Sequence, residues 1–194
     1  MSNRSFALGL SVAAVAFTAS GALADDLLTL DLSVANQVTI TATAGLSAAT
    51  ASGSDNVGAY MQGFFTGLGG VFSIPDVGTS TFTSVGAPAS GNSLIYRYDI
   101  SDMGLNIYDW SPSPTVSLTA GTQAFTGTAV YSLTPTQYAQ FLAGNTSGNL
   151  YFPADDASDL STAALIGTWR VVPTPGAAAL LGLGGLAVSR RRRA

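Results

Sequence analysis

Residues 27–43 read Leu27-Leu28-Thr29-Leu30-Asp31-Leu32-Ser33-Val34-Ala35-Asn36-Gln37-Val38-Thr39-Ile40-Thr41-Ala42-Thr43. Leu28, Leu30, Leu32 and Val34 fall on every second position, with Thr29, Asp31 and Ser33 between them. The same period returns in Val38, Ile40 and Ala42 against Thr39, Thr41 and Thr43. Successive side chains of a strand point to opposite faces, so this pattern describes strands with one buried and one exposed side. Further along, Leu94, Tyr96, Tyr98 and Ile100 alternate with Ile95, Arg97 and Asp99, which assigns the two tyrosines to the core face. Strand-like runs rich in Thr, Val, Tyr and Phe follow at 105–110, 116–118, 125–133, 149–152 and 165–172, punctuated by Gly, Pro, Asn and Ser. Helical periodicity is scarce, so no set of helices is available to cover a parallel sheet. The expected fold is all-β: an antiparallel β-sandwich, jelly-roll-like, with one or two short helices. The clearest helix has Thr134 as its cap, Pro135 in its first turn, Gln137 to Ala143 as its body and Gly144 as its stop, with Tyr138, Phe141 and Leu142 on one face. A further turn is expected near 159–165.

Composition narrows the chemistry. Only 9% of the 194 residues are charged, against about 25% in an ordinary soluble domain. All seven basic residues are Arg and all eleven acidic ones are Asp; there is no Lys, Glu, His or Cys. Catalytic dyads and triads built on His or Cys, disulfides, Schiff-base lysines and a P-loop lysine are thereby excluded. An acid–base catalyst would have to be Asp, Tyr or a metal-bound water.

The two ends have a different character from the middle. Arg4, the apolar run from Phe6 to Phe17 and the small-x-small sequence Ala22-Leu23-Ala24 form the three regions of a secretory signal peptide, with cleavage expected after Ala24. At the other end stand Val172-Pro173-Thr174-Pro175-Gly176, the apolar stretch through Ser189, and Arg190, Arg191, Arg192 and Arg193. The Pro-x-Pro element stays extended, and the Arg cluster favours the cytoplasmic side of a membrane. Gly176 to Ser189 is 14 residues, about 21 Å as a helix at ~1.5 Å per residue, short of the ~30 Å of a bilayer core. The segment suits a transient membrane halt better than a permanent anchor.

This tail resembles the PEP-CTERM sorting signal of exported bacterial proteins, with Thr174 standing where that family has Glu. The resemblance covers the last 23 or so residues and none of the body. It implies recognition by an exosortase-type membrane protease, cleavage near the Pro-x-Pro element, and release to the cell surface or extracellular matrix. The expected organisation is a signal peptide at 1–24, a β-sandwich body at 25–171 and a sorting tail at 172–194, with the end segments helical. Signal peptidase and the exosortase-type enzyme are the expected processing partners.

Removing both ends leaves Arg97 and Arg170 against eleven Asp, a formal charge of −9. Such a body lacks the basic patch that nucleic acid requires, so no nucleic-acid partner is expected, and the membrane is met only through the tail. Asp155, Asp156 and Asp159 are candidate calcium ligands, or else acids complementing the start of a helical turn. Asp99, Asp102 and Asp109 form a weaker group of the same kind. The Thr-x-Thr rows Thr39-Thr41-Thr43 and Thr79-Thr81-Thr83 read as exposed strand faces, or as a flat surface offered to a glycan or a crystal. Tyr60, Phe64, Phe65, Phe72, Tyr96, Tyr98, Tyr108 and Trp110 are core aromatics or a sugar-stacking platform. The leading expectation is a non-enzymatic exported protein with no catalytic residue and no obligatory cofactor. The alternatives are an adhesive module for extracellular polysaccharide or calcium and, last, an Asp-based glycoside hydrolase.

Overall fold

The computed structural model describes residues 24–113 and 115–172. Residues 1–23, with Ala22, lie outside that range, as do Pro173, Thr174, Pro175, Gly176 and the Arg190–Arg193 cluster, and with them the terminal helices expected above. Of the targeting residues, Ala24 and Val172 are described.

The strands are β1 (Asp26–Asp31), β2 (Gln37–Ala42), β3 (Ala51–Gly53), β4 (Ala59–Met61), β5 (Phe72–Pro75), β6 (Thr83–Ser84), β7 (Leu94–Arg97), β8 (Leu105–Tyr108), β9 (Val116–Leu118), β10 (Phe125–Thr126), β11 (Thr128–Ser132), β12 (Ser147–Phe152) and β13 (Ala164–Val172). A helix, α1, spans Pro135–Leu142, and a 3-10 turn spans Ala157–Ser161. The fold is all-β, as the alternation requires.

Nine strands form one sheet in the order β11-β2-β1-β13-β12-β4-β8-β7-β5. Its two edges meet: the Val77 N–H donates to the Val130 carbonyl at 2.9 Å, and Asp76 bridges Tyr131. The sheet therefore nearly closes on itself. This corrects the expectation of two packed antiparallel sheets, because nine of the strands are joined in one curved sheet. The β1–β13 pairing is also parallel, with Leu28 opposite Trp169 and Asp31 opposite Val172, whereas the other ladders of the sheet are antiparallel. Alternation specifies a strand's buried face but not its neighbour. Near-closure satisfies edge groups that two separate sheets would leave open.

One continuous core fills the interior. At the end capped by α1, Phe64 packs edge-on against Phe65 and Phe141 at centroid distances of 4.9 and 5.0 Å. At the opposite end, Trp110 meets Phe82 and Phe125 edge-on at 5.9 and 5.7 Å, beside the short ladders β6–β10 and β3–β9. Such geometries add to the burial of area.

The helix begins as its sequence dictates. Thr134 Oγ1 accepts from the Gln137 N–H, and Gln137 Oε1 accepts from the Thr134 N–H, a reciprocal capping box. Phe141 is buried, and the Tyr138 hydroxyl donates to the Leu32 carbonyl at 2.7 Å. Leu142 is 54% exposed and so does not share the inward face assigned to it. The face of β7 is likewise the reverse of the expected one. Ile95 and Arg97 are buried, while Tyr96 is half-buried and Tyr98 exposed. Ladder register explains this, because Ile74, Ile95, Ile107 and Ala59 stand opposite one another across β5, β7, β8 and β4 and form one inner row.

Candidate functional site

The complementary outer row across β5, β7, β8, β4 and β12 reads Ser73, Tyr96, Asn106, Tyr60, Tyr151. Paired residues of a ladder share a face, so these side chains form a polar, aromatic floor on the outside of the sheet. Two connections border it. One follows β7 through Tyr98, Asp99 and Asp102; the other follows β12 through Asp155 and Asp156.

Two adjoining clefts result. The larger, about 500 Å³, is lined among others by Tyr60, Gln62, Tyr98, Asp102, Asp156 and Leu160. The smaller, about 320 Å³, lies over Ser73, Tyr96, Asn106, Tyr108 and Asp155. Tyr96 belongs to one and Tyr98 to the other, and their rings meet edge-on at 6.1 Å, the same separation as Tyr96 and Tyr108. Asp155 and Asp156, adjacent in the chain, likewise divide between the two. Both volumes lie in the ~300–1,000 Å³ range of small-molecule sites.

The floor is built by local chemistry. The Tyr60 hydroxyl donates to Asp102 Oδ1 at 2.5 Å, and the Gly104 N–H donates to the same oxygen at 3.0 Å. Burial, and then the hydrogen bond to Asp102, push the Tyr60 phenol well above its usual range. Gly104 is required sterically, since a Cβ there would overlap the Tyr60 ring. Asn106 Nδ2 donates to the Val57 and Ala154 carbonyls at 2.9 and 2.7 Å, tying the chain before β4 to the connection after β12. Asp99 Oδ1 accepts from the Ser101 hydroxyl at 2.7 Å and from the Ser101 and Asp102 amides at 2.6 and 2.8 Å, which holds its carboxyl below the ordinary value. Asp102 Oδ2 and Asn106 Oδ1 are buried without a protein partner.

Beneath this loop Arg97 is 1% exposed. Its Nε donates to the Asp102 carbonyl at 2.8 Å and its Nη2 to the Gly67 carbonyl at 2.8 Å, and the guanidinium carbon lies 4.3 Å from the Phe65 ring centre.

The predicted groups fare unequally. Asp156 Oδ1 accepts from the Ser158 N–H at 2.5 Å and caps the 3-10 turn, while Asp159 Oδ2 accepts from the Asp155 N–H at 3.1 Å. These acids serve as turn acceptors, and among the described residues no group of three or more acidic side chains is placed to hold a metal ion. Asp99 and Asp102 reach the larger cleft; Asp109 is not among its lining residues. Of the aromatic set, Phe64, Phe65, Phe72 and Trp110 are core and Tyr60 is floor, which leaves Tyr96, Tyr98 and Tyr108 for a surface role. Of the Thr rows, Thr79-Thr81-Thr83 is not an exposed face throughout, because Thr83 is buried, while on β2 Thr41 Oγ1 pairs with Thr128 Oγ1 of β11 at 2.7 Å. Ser73, Gln62 and Asn106 were not legible as site residues, since only cross-strand register brings them beside the tyrosines. Among the described residues no helix is long and apolar enough to cross a membrane. Comparison with protein-family models, curated proteins and solved structures gives no match to this chain.

Proposed function

We propose that this is an exported, non-enzymatic protein, displayed at or released from the cell surface after processing at both ends. The signal segment would be removed by signal peptidase after Ala24. The tail from Val172, with its short apolar stretch and Arg cluster, would be handled by an exosortase-type protease. The reading is carried by the sequence of the two ends: Arg4, the apolar run Phe6 to Phe17 and Ala22-Leu23-Ala24 at one, and the Pro-x-Pro element, apolar stretch and Arg cluster at the other. The core among the described residues is assembled between Leu27 and Trp169.

The non-enzymatic part is argued from composition: without His, Cys, Lys or Glu, the usual nucleophile–base pairs cannot be assembled.

Intact-mass analysis of the protein recovered from the medium or cell surface tests the proposal. The expected mature chain begins at Asp25 and ends close to Pro175. Recovery from the cytoplasm with both ends intact would overturn it.

A further inference from the structure

We propose that the paired outer-face clefts bind a flexible organic polycation of the aliphatic polyamine class, its ammonium groups held between the tyrosine rings and the carboxylates of Asp99, Asp155 and Asp156. The inference goes beyond the export reading and does not rest on it.

The rings are the first requirement. Tyr98 is 48% exposed in the larger cleft, and Tyr96 and Tyr108 continue the line into the smaller one, in two steps of 6.1 Å between ring centres. The face of a tyrosine ring carries the negative part of its quadrupole, so a cation within about 6 Å of the ring centre is attracted. Methylenes between two ammonium groups take up the apolar ring area that water otherwise covers.

Charge points to a cation independently. Asp99, Asp102 and Asp156 line the larger cleft and Asp155 the smaller, and no Arg lines either. Arg97, bonded through Nε to the Asp102 carbonyl behind the loop, offsets one of these four carboxylates and leaves three in excess. Acceptors are free where a ligand can reach them. Asp99 and Asp156 each engage the protein through Oδ1, and neither Oδ2 is buried. Burial and then the Asp159 carboxylate raise the pKa of Asp155, with Asp156 adding to it, so an ammonium group in the smaller cleft relieves a repulsion already present.

The distribution of the carboxylates decides which kind of cation. A metal ion needs several oxygens converging on one point, and among the described residues no three acidic groups do so. They are strung instead across two adjoining clefts of about 500 and 320 Å³. Charges spaced along a flexible chain match that arrangement, and a neutral chain of the same length leaves the carboxylates without counter-charge.

Isothermal titration calorimetry of the purified chain at low ionic strength tests this with spermidine, with calcium chloride, and with tetraethylene glycol as a neutral flexible chain. Spermidine is expected to bind at a single site and to raise the melting temperature. Tetraethylene glycol should give no binding heat, and equimolar calcium should not displace spermidine. Tyr98→Ala, which removes an exposed ring outside the core, should weaken binding about two- to fivefold. Asp155→Asn keeps the shape of the side chain and should weaken it about threefold. Asp31→Asn removes the same charge from an exposed position on β1, outside the cleft linings, and should leave the affinity unchanged. The melting curve of each variant is checked against the parent. Absence of spermidine binding, equal binding of tetraethylene glycol, displacement by equimolar calcium, unaltered binding by Tyr98→Ala, or equal losses in Asp31→Asn and Asp155→Asn would each overturn the proposal. None of these outcomes bears on where the protein is processed, which the mass measurement reads separately.

Discussion

Arg97 brings a full charge into the interior of a chain that is poor in charges. Its hydrogen bonds run to the backbone carbonyls of Asp102, Gly67 and Ile100, the last at 3.5 Å, so one side chain fastens two loops to β7. Burial pulls its pKa down, and Asp102 and Asp99 pull it back up. The ion pair between Arg170 and Asp26, at 2.8 Å, is by contrast half in solvent and adds little. Arg97→Met should therefore cost about 2–4 kcal/mol in urea denaturation by stranding those carbonyls. Arg97→Lys should fall between the two, because an ammonium cannot reproduce the fork of the guanidinium. Two carboxyls bordering the clefts give predictions of opposite sign. Burial first, and then the Asp159 carboxylate, raise the pKa of Asp155. Its contribution is therefore whole below the unfolded value near ~3.9 and is lost as pH rises through the raised pKa. Asp155→Asn should raise the melting temperature at pH 7, and the gain should vanish below about pH 4. The Ser101 hydroxyl and the amides around it lower the pKa of Asp99, so its contribution is present above the unfolded value and lost as pH falls through the lowered pKa. Asp99→Asn should lower the melting temperature at pH 7 and converge with the parent in acid. Melting curves against pH for both variants check the pair of signs.

Elements were legible where their determinants are local. The start of α1 rests on Thr134 as cap and Pro135 in the first turn, neighbours in sequence, and the structure has both; the Gln137 side chain, not singled out by that reading, completes the capping box. Thr134→Ala should cost about 1 kcal/mol and reduce protection of the first-turn amides in hydrogen exchange. β2 and β9 likewise follow from alternation or a short apolar run, within a residue at each end. Where the determinant lies elsewhere in the chain, the reading fails in identifiable ways. The stretch 125–133 reads as one strand but breaks at Gly127, whose φ is +83° and where a Cβ would overlap the Thr81 backbone. β3, β4, β5 and β6 are two to four residues each, too short for periodicity to register. On β7 both faces carry large apolar groups, and the alternation makes Arg97 the solvent-facing residue. Only carbonyls contributed by residues 67 and 100–102 make its burial feasible, and nothing in the local sequence announces them. The cleft is not legible from that face, because the alternation points Tyr96 and Tyr98 inward and the row joining Tyr96 to Asn106 and Tyr60 exists only through pairing register.

For the molecule as a whole, the decisive contact joins the two ends of the body. β13 lies in the interior of the nine-stranded sheet, paired with β1 on one side and β12 on the other, so both terminal strands are structural centre rather than fringe. The Thr168 N–H donates to the Asp25 carbonyl at 2.9 Å, which pins the chain just past the expected signal cleavage site. Trp169 and Ile166 on β13, and Leu28 and Leu30 on β1, are fully buried in the common core. A chain cut to residues 25–172 should therefore fold cooperatively, with a melting temperature within a few degrees of the longer protein. Cutting a further nine residues, to 25–163, removes β13 entirely. That strips β1 and β12 of a shared neighbour and opens the core around Leu28 and Leu150, losses of ~3–5 kcal/mol for the tryptophan alone against a typical total stability of ~5–15. The shorter chain should lack a cooperative transition and a native near-ultraviolet signal in circular dichroism. Cooperative melting of 25–163 would mean that the parallel pairing does not hold the sheet together. Failure of 25–172 to fold would mean that the body depends on one of its end segments, and processing at both ends would then be untenable.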